Sequence, residues 1–115
     1  MFGPDGKLLA VGDANGSIYL WDTATDTLAA TLTAPGQRGP VNSLTFSPDG
    51  TLLAAADGNG HAYLWRVATG RLAGTWTGAA QEQVWSVAFS PDGRLLAIAD
   101  GGGTIDVRLI TQLVS

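Results

Sequence analysis

The chain has 115 residues, a formal charge of −4, 16 glycines, one histidine and no cysteine. That length suffices for one domain, and the missing cysteine removes disulfides, thiolate metal sites and cysteine nucleophiles, which fits a reducing, cytoplasmic setting. The few Lys and Arg are scattered, no stretch approaches the length of a membrane span, and the first residues lack a basic-then-apolar leader; the expectation is a chain without a nucleic-acid groove, a membrane anchor or a secretory signal.

Phe2 reads as the last residue of a strand whose beginning is absent. Gly3-Pro4-Asp5-Gly6 follows as a tight turn: Pro presets φ, Asp bonds its own backbone, and Gly accepts the positive φ that closes it. Strands are predicted over Leu8–Gly12 and Ser17–Asp22, joined through Asn15-Gly16. An Asn-Gly pair between apolar runs predicts a two-residue type I′ hairpin turn with both central residues at φ > 0. A polar turn, Thr23–Asp26, leads to a strand over Thr27–Thr33 and a Pro/Gly loop over Ala34–Pro40.

The pattern then returns. FGPDGKLLAVGDANGSIYLW starts at Phe2, FSPDGTLLAAADGNGHAYLW at Phe46 and FSPDGRLLAIADGGGTIDVR at Phe89, at intervals of 44 and 43 residues. A fixed period of this size marks a repeat architecture. The second copy predicts strands over Val41–Phe46, Thr51–Ala56, His61–Arg66 and Arg71–Thr77. After the loop Gly78–Gln83, the third predicts Val84–Phe89, Arg94–Ala99 and Thr104–Leu109, with a tail Ile110–Ser115. The best helical competitor, Ala79–Val87, contains β-formers and lacks an apolar stripe at helical spacing. The chain is therefore read as all-β. Its strands are apolar at nearly every position, as expected for sheets buried on both faces, and unlike the alternation of a two-layer sandwich. Radially packed four-stranded blades satisfy this pattern.

The phased Phe-Ser-Pro-Asp-Gly, Leu-Leu-Ala, Asn-Gly, Tyr-Leu-Trp-Asp (Tyr19–Asp22) and Leu-Ala-Ala-Thr-Leu-Thr (Leu28–Thr33) pieces resemble the tryptophan–aspartate (WD) repeat β-propeller family, in its bacterial type, over nearly the whole chain. The resemblance implies blades of strands a to d, with strand a (Val41–Phe46, Val84–Phe89) nearest the axis. Residues 1–115 then form one propeller segment: repeat 1 over 2–45 lacking most of strand a, repeat 2 over 46–88, and repeat 3 over 89–115 lacking strand d. That makes ten strands, about two and a half blades of a partial ring. Because propellers close with typically four to eight blades, the expectation is a piece of a longer chain or a self-associating unit. The family's Gly-His pair is absent, and Val11, Ala55 and Ile98 replace its strand-b hydroxyl. Its Asp–His–Ser–Trp network cannot form as such, and Arg108 stands where the third Trp would be.

Candidate chemistry is sparse. Asp13, Asp57 and Asp100 recur at one phase, read either as weak calcium-loop ligands or as side chains that cap a tight turn; no copy supplies the several carboxylates a calcium loop needs. His61 alone cannot build a multi-histidine zinc site, and no nucleophile elbow accompanies it. The glycine runs lack the Lys-Ser/Thr of a phosphate loop. No catalytic, cofactor or metal site is expected. Trp76 is expected to pack between blades. Trp85 and its repeat counterpart Asn42 begin strand a, on the loop face through which the family commonly binds partners, and both are candidate partner-binding residues; Trp85 is either a binding anchor or a packing residue between blades. The leading expectation is a non-enzymatic protein-interaction scaffold with a protein partner, serving as the sensor or regulatory part of a multidomain protein. The second is a propeller that binds small ligands or carbohydrate through Tyr, Trp, Asn and Asp on repeated loops. A hydrolase is disfavoured by the lack of paired acid/base residues.

Overall fold

A computed structural model describes residues 1–33, 39–77 and 83–114; most of the two expected loops at 34–40 and 78–83 lies outside the described residues. Three antiparallel sheets follow one another along the chain. The first contains β1 (Leu8–Gly12), β2 (Ile18–Asp22) and β3 (Thr27–Leu32), paired in chain order. The second contains β4 (Val41–Phe46), β5 (Leu52–Asp57), β6 (His61–Arg66) and β7 (Arg71–Thr77). The third contains β8 (Val84–Phe89), β9 (Leu95–Asp100) and β10 (Ile105–Leu109). Every strand falls within one residue of its expected bounds. Phe2 forms an isolated antiparallel bridge to Leu9, on the inner side of the first sheet.

The turns show how the repeat folds. Gly50 N–H donates to Ser47 C=O at 2.9 Å, and Gly93 N–H does the same to Ser90. Ser47 Oγ donates to Asp49 Oδ1 at 2.7 Å while accepting from Leu52 N–H, so one buried hydroxyl ties the turn to the strand after it. The Asn-Gly turn departs from expectation. Only its glycine has positive φ, 88° at Gly16 and 92° at Gly60; the Asn residues do not. Asp13 N–H donates to Ser17 C=O and Gly16 N–H to Asp13 C=O, which makes a three-residue loop closed by glycine rather than a two-residue type I′ turn. The cause is the preceding aspartate. Its carboxylate draws in the N–H groups two and four residues on, which leaves the left-handed residue to the glycine alone.

The sheets pack face to face around two apolar clusters. Ala10, Ile18, Leu20 and Leu32 of the first sheet meet Leu53, Ala55, Tyr63 and Trp65 of the second. Ala54, Ala56, Ala62 and Leu64 from the second sheet's other face meet Val84, Val87, Leu96 and Ile98 of the third. Alternate residues of β5 and β6 thus serve two different cores, which is why those strands carry no polar face. Burial on both faces holds for the middle sheet only. The outer sheets keep the same apolar sequence with a neighbour on one side, so Val11, Trp21, Ile105 and Val107 stand exposed. The tail forms no fourth strand. It turns into α1 (Ile110–Leu113), whose Ile110 and Leu113 pack against the second core.

The packing is radial. β4 and β8, the first strands of the second and third sheets, lie against each other, and β5 also lies against β8. Beyond β10, at the outer edge of the third sheet, α1 packs against β7 of the second sheet. The backbone carbonyl of Leu113 lies where a side chain on Gly74 would begin, so only glycine fits there.

Candidate functional site

The three phased aspartates are turn residues in all three copies. Asp57 Oδ1 accepts from Asn59 N–H at 3.0 Å and His61 N–H at 2.8 Å; Asp100 Oδ1 accepts from Gly102 N–H at 3.1 Å and Thr104 N–H at 3.0 Å. Asp13 does the same and also accepts from the Tyr19 hydroxyl at 3.0 Å. These bonds, the Ser17 N–H first, hold the Asp13 carboxyl below its usual range, and the Tyr19 phenol is raised in return. Among the described residues no group of three or more His, Asp or Glu is placed to hold a metal ion.

Asp57 is fully buried, and its second oxygen lies 3.4 Å from His61 Nδ1, out of alignment for a hydrogen bond. His61 stacks on Tyr63, with ring centroids 5.6 Å apart. Burial, and then the Asp57 carboxylate, push the Tyr63 phenol up to about 12. The Trp65 indole N–H lies close by in sequence and is buried without a partner among the described residues. Asp, His, Tyr and Trp thus gather on one hairpin, with no serine among them.

Asn42 and Trp85 occupy the same position on successive sheets, each in a register shift near the start of its strand. Asn42 Nδ2 donates to Val84 C=O at 3.0 Å and to Gln83 Oε1 at 3.3 Å, so it ties the second sheet to the start of the third. Trp85 is 53% exposed, while its neighbours Val84 and Val87 turn inward to the second core. The two side chains sit on successive sheets, and the Asn42 amide bonds the carbonyl of the residue just before Trp85. Trp76 packs against the second core from β7.

A cleft of about 360 Å³ between the first two Pro-Asp-Gly turns is lined by Pro4, Asp5, Lys7, Asp22, Phe46 and Asp49, among others. The sequence reading did not single it out, because its walls come from turns one repeat apart; the acidic phase of those turns was the available signal. Its carboxylates are already engaged. Asp5 accepts from Lys7 N–H, Asp22 from Ala24 N–H and Thr25 N–H, and Asp49 from Ser47 and Thr51. The Ser47 hydroxyl is the main cause of a lowered Asp49 carboxyl.

Three consecutive sheets that meet through their first strands and share cores face to face are blades of a β-propeller. The Vps8 β-propeller family model matches residues 5–113, and the chain belongs to that family. No curated protein matches the sequence. Among the described residues no helix is long and apolar enough to cross a membrane.

Proposed function

We propose that the chain is a non-enzymatic protein-interaction scaffold whose blades are of the WD-repeat, bacterial type. It works as part of a larger propeller, completed by further blades or by copies of itself, as the sensor or regulatory part of a multidomain protein in the cytoplasm. Trp85 carries this reading. A large aromatic ring, half exposed at the start of a first strand, is the kind of rigid amphipathic anchor on which protein interfaces concentrate their energy. The aspartates support it by what they do, since each closes a turn through its carboxylate. Asn42 is a positioning residue in this reading, since its amide fixes the strand on which Trp85 stands.

The test places a photo-crosslinking amino acid at the adjacent exposed position Ser86 in the native cell, in chains that carry either Trp85 or Trp85→Ala with unchanged melting temperature. The expected result is one discrete heterologous protein cross-linked through position 86 and lost by at least tenfold from Trp85→Ala. Undiminished capture of that protein by Trp85→Ala overturns the reading.

A further inference from the structure

The two open faces of this chain match each other. On the outer face of the third sheet, Ile105 and Val107 hold the repeat positions that Ile18 and Leu20 hold in the first sheet. Ile18 and Leu20 are fully buried because Tyr63 and Trp65 of the second sheet close over them in one shared cluster. The outer face of the first sheet carries the same two aromatics at the same repeat positions, Tyr19 and Trp21, with Phe2 in the place of Phe46. So one open face repeats the lower half of a junction already present in the chain, and the other repeats its upper half. All four side chains are exposed, Ile105 to 70% and Val107 to 57%.

The turns tell the same story independently. A side chain on Gly50 would rest on Pro4 of the preceding sheet at 3.5 Å, and one on Gly93 would rest on Pro48 at 3.5 Å. The third member of the series, Gly6, has nothing within 4 Å. Its absent neighbour is a proline in the phase of Pro4 and Pro48, and Pro91 of the last sheet is in that phase.

We infer that the outer face of the third sheet receives the outer face of the first sheet of a second copy of this chain, head to tail, with Ile105 and Val107 under Tyr19 and Trp21. This rests on the reading that the chain contributes blades to a larger ring. The contact joins two different surfaces, so it must either close or grow without limit. Two copies supply six sheets, within the four to eight at which propellers close, whereas three copies exceed that range. The assembly is therefore a ring of two chains with two identical junctions. An apolar face of this size left open on a monomer would otherwise be an association hazard.

The test uses two variants of the full chain, Ile105→Lys with Val107→Lys on one face and Val11→Lys with Trp21→Lys on the other, with masses read by light scattering. The altered residues are exposed, and circular dichroism checks each fold; if the lysine pair on β10 fails to fold, Ile105→Thr with Val107→Thr keeps the β-branched shape. The wild-type chain is expected at twice the chain mass, and each variant alone at the chain mass. An equal mixture of the two variants is expected to return to twice the chain mass, because one intact pair of faces survives. A wild-type monomer at high concentration overturns the inference but leaves the Trp85 reading standing. Either variant alone still dimerising means like faces pair with like, and overturns it. A wild-type mass that climbs continuously with concentration overturns the ring of two.

Discussion

The hairpins β1–β2 and β5–β6 are one sequence unit in two settings. Tyr19 and Trp21 lie at the surface with both polar atoms engaged: the phenol donates to Asp13, and the indole N–H to Asp26 at 3.1 Å. Tyr63 and Trp65 lie in a core with a sheet packed over them, and there the indole N–H has no partner among the described residues. The counterpart of Asp26 is Gly70. Both have positive φ, 58° for Asp26 and 70° for Gly70. The first repeat accepts a strained aspartate and obtains an indole bond; the second relaxes the backbone and leaves the indole unpaired. Apolar burial outweighs one hydrogen bond when the ring is fully covered, since a buried aromatic side chain contributes a few kcal/mol and a net hydrogen bond about one.

The largest test of this difference is a matched truncation. Trp65→Ala should cost about 3–5 kcal/mol in chemical denaturation, because it empties a packed core. Trp21→Ala, measured under conditions where the chain is monomeric, should cost well under half as much. Equal losses would mean that the two settings are energetically the same. Next comes the carboxylate beneath each hairpin. Asp57→Ala removes a fully buried carboxylate and strands two part-buried backbone donors, and should cost about 2–3 kcal/mol, with a clearly smaller loss for Asp13→Ala, whose carboxylate lies nearer water. Then the turn glycine: Gly60→Val should cost about 1–3 kcal/mol, since a β-branched residue enters positive φ only under strain, whereas Thr25→Val should leave the melting temperature nearly unchanged.

The pH profile separates the two hairpins further. The folded Tyr63 phenol is raised to about 12, chiefly by burial, while an unfolded tyrosine ionises near 10. Its contribution is therefore complete below about pH 10 and is lost as pH rises toward 12. Tyr63→Phe should flatten that alkaline limb in a pH series of unfolding curves; an unchanged limb would assign it elsewhere. On the acid side the lowered carboxyls of Asp13, Asp49 and Asp92 contribute fully above about pH 4, and that contribution fades as pH falls below it. The smallest effect belongs to Gly70→Asp. It should change stability by under about 1 kcal/mol, the new indole bond offsetting the backbone strain. A double-mutant cycle with Trp65→Phe should reveal about 1 kcal/mol of favourable coupling; zero coupling would show that no bond forms.

The strands were legible because Pro-Asp-Gly and the second glycine turn bracket each apolar run, and three copies in phase leave little freedom in register. The exact turn was not legible: Asn-Gly specifies a type I′ hairpin only when no upstream carboxylate competes for the loop N–H groups, and Asp13 and Asp57 do compete. The role of Asn42 was hidden for another reason. Its partners, Gln83 and Val84, come from the next repeat, so nothing in its own stretch marks the bond. Trp85 could be placed at the start of its strand from the period alone, whereas its exposure depends on which neighbours are present. The helical turn over Ile110–Leu113 had no periodic signal, being one turn long and positioned by contacts with the second sheet.

The meeting of Gly74 with the Leu113 carbonyl constrains how this sequence can diverge. A single methyl at position 74 must lift the tail off the second sheet, and with it the cover that Ile110 and Leu113 give to the core. The four-stranded sheet and the tail are therefore bound to change together. A lineage that replaces Gly74 must also rebuild the tail, either as a different cap or as a true outer strand, while a lineage that keeps the helical turn is held to glycine there however freely the surrounding surface drifts.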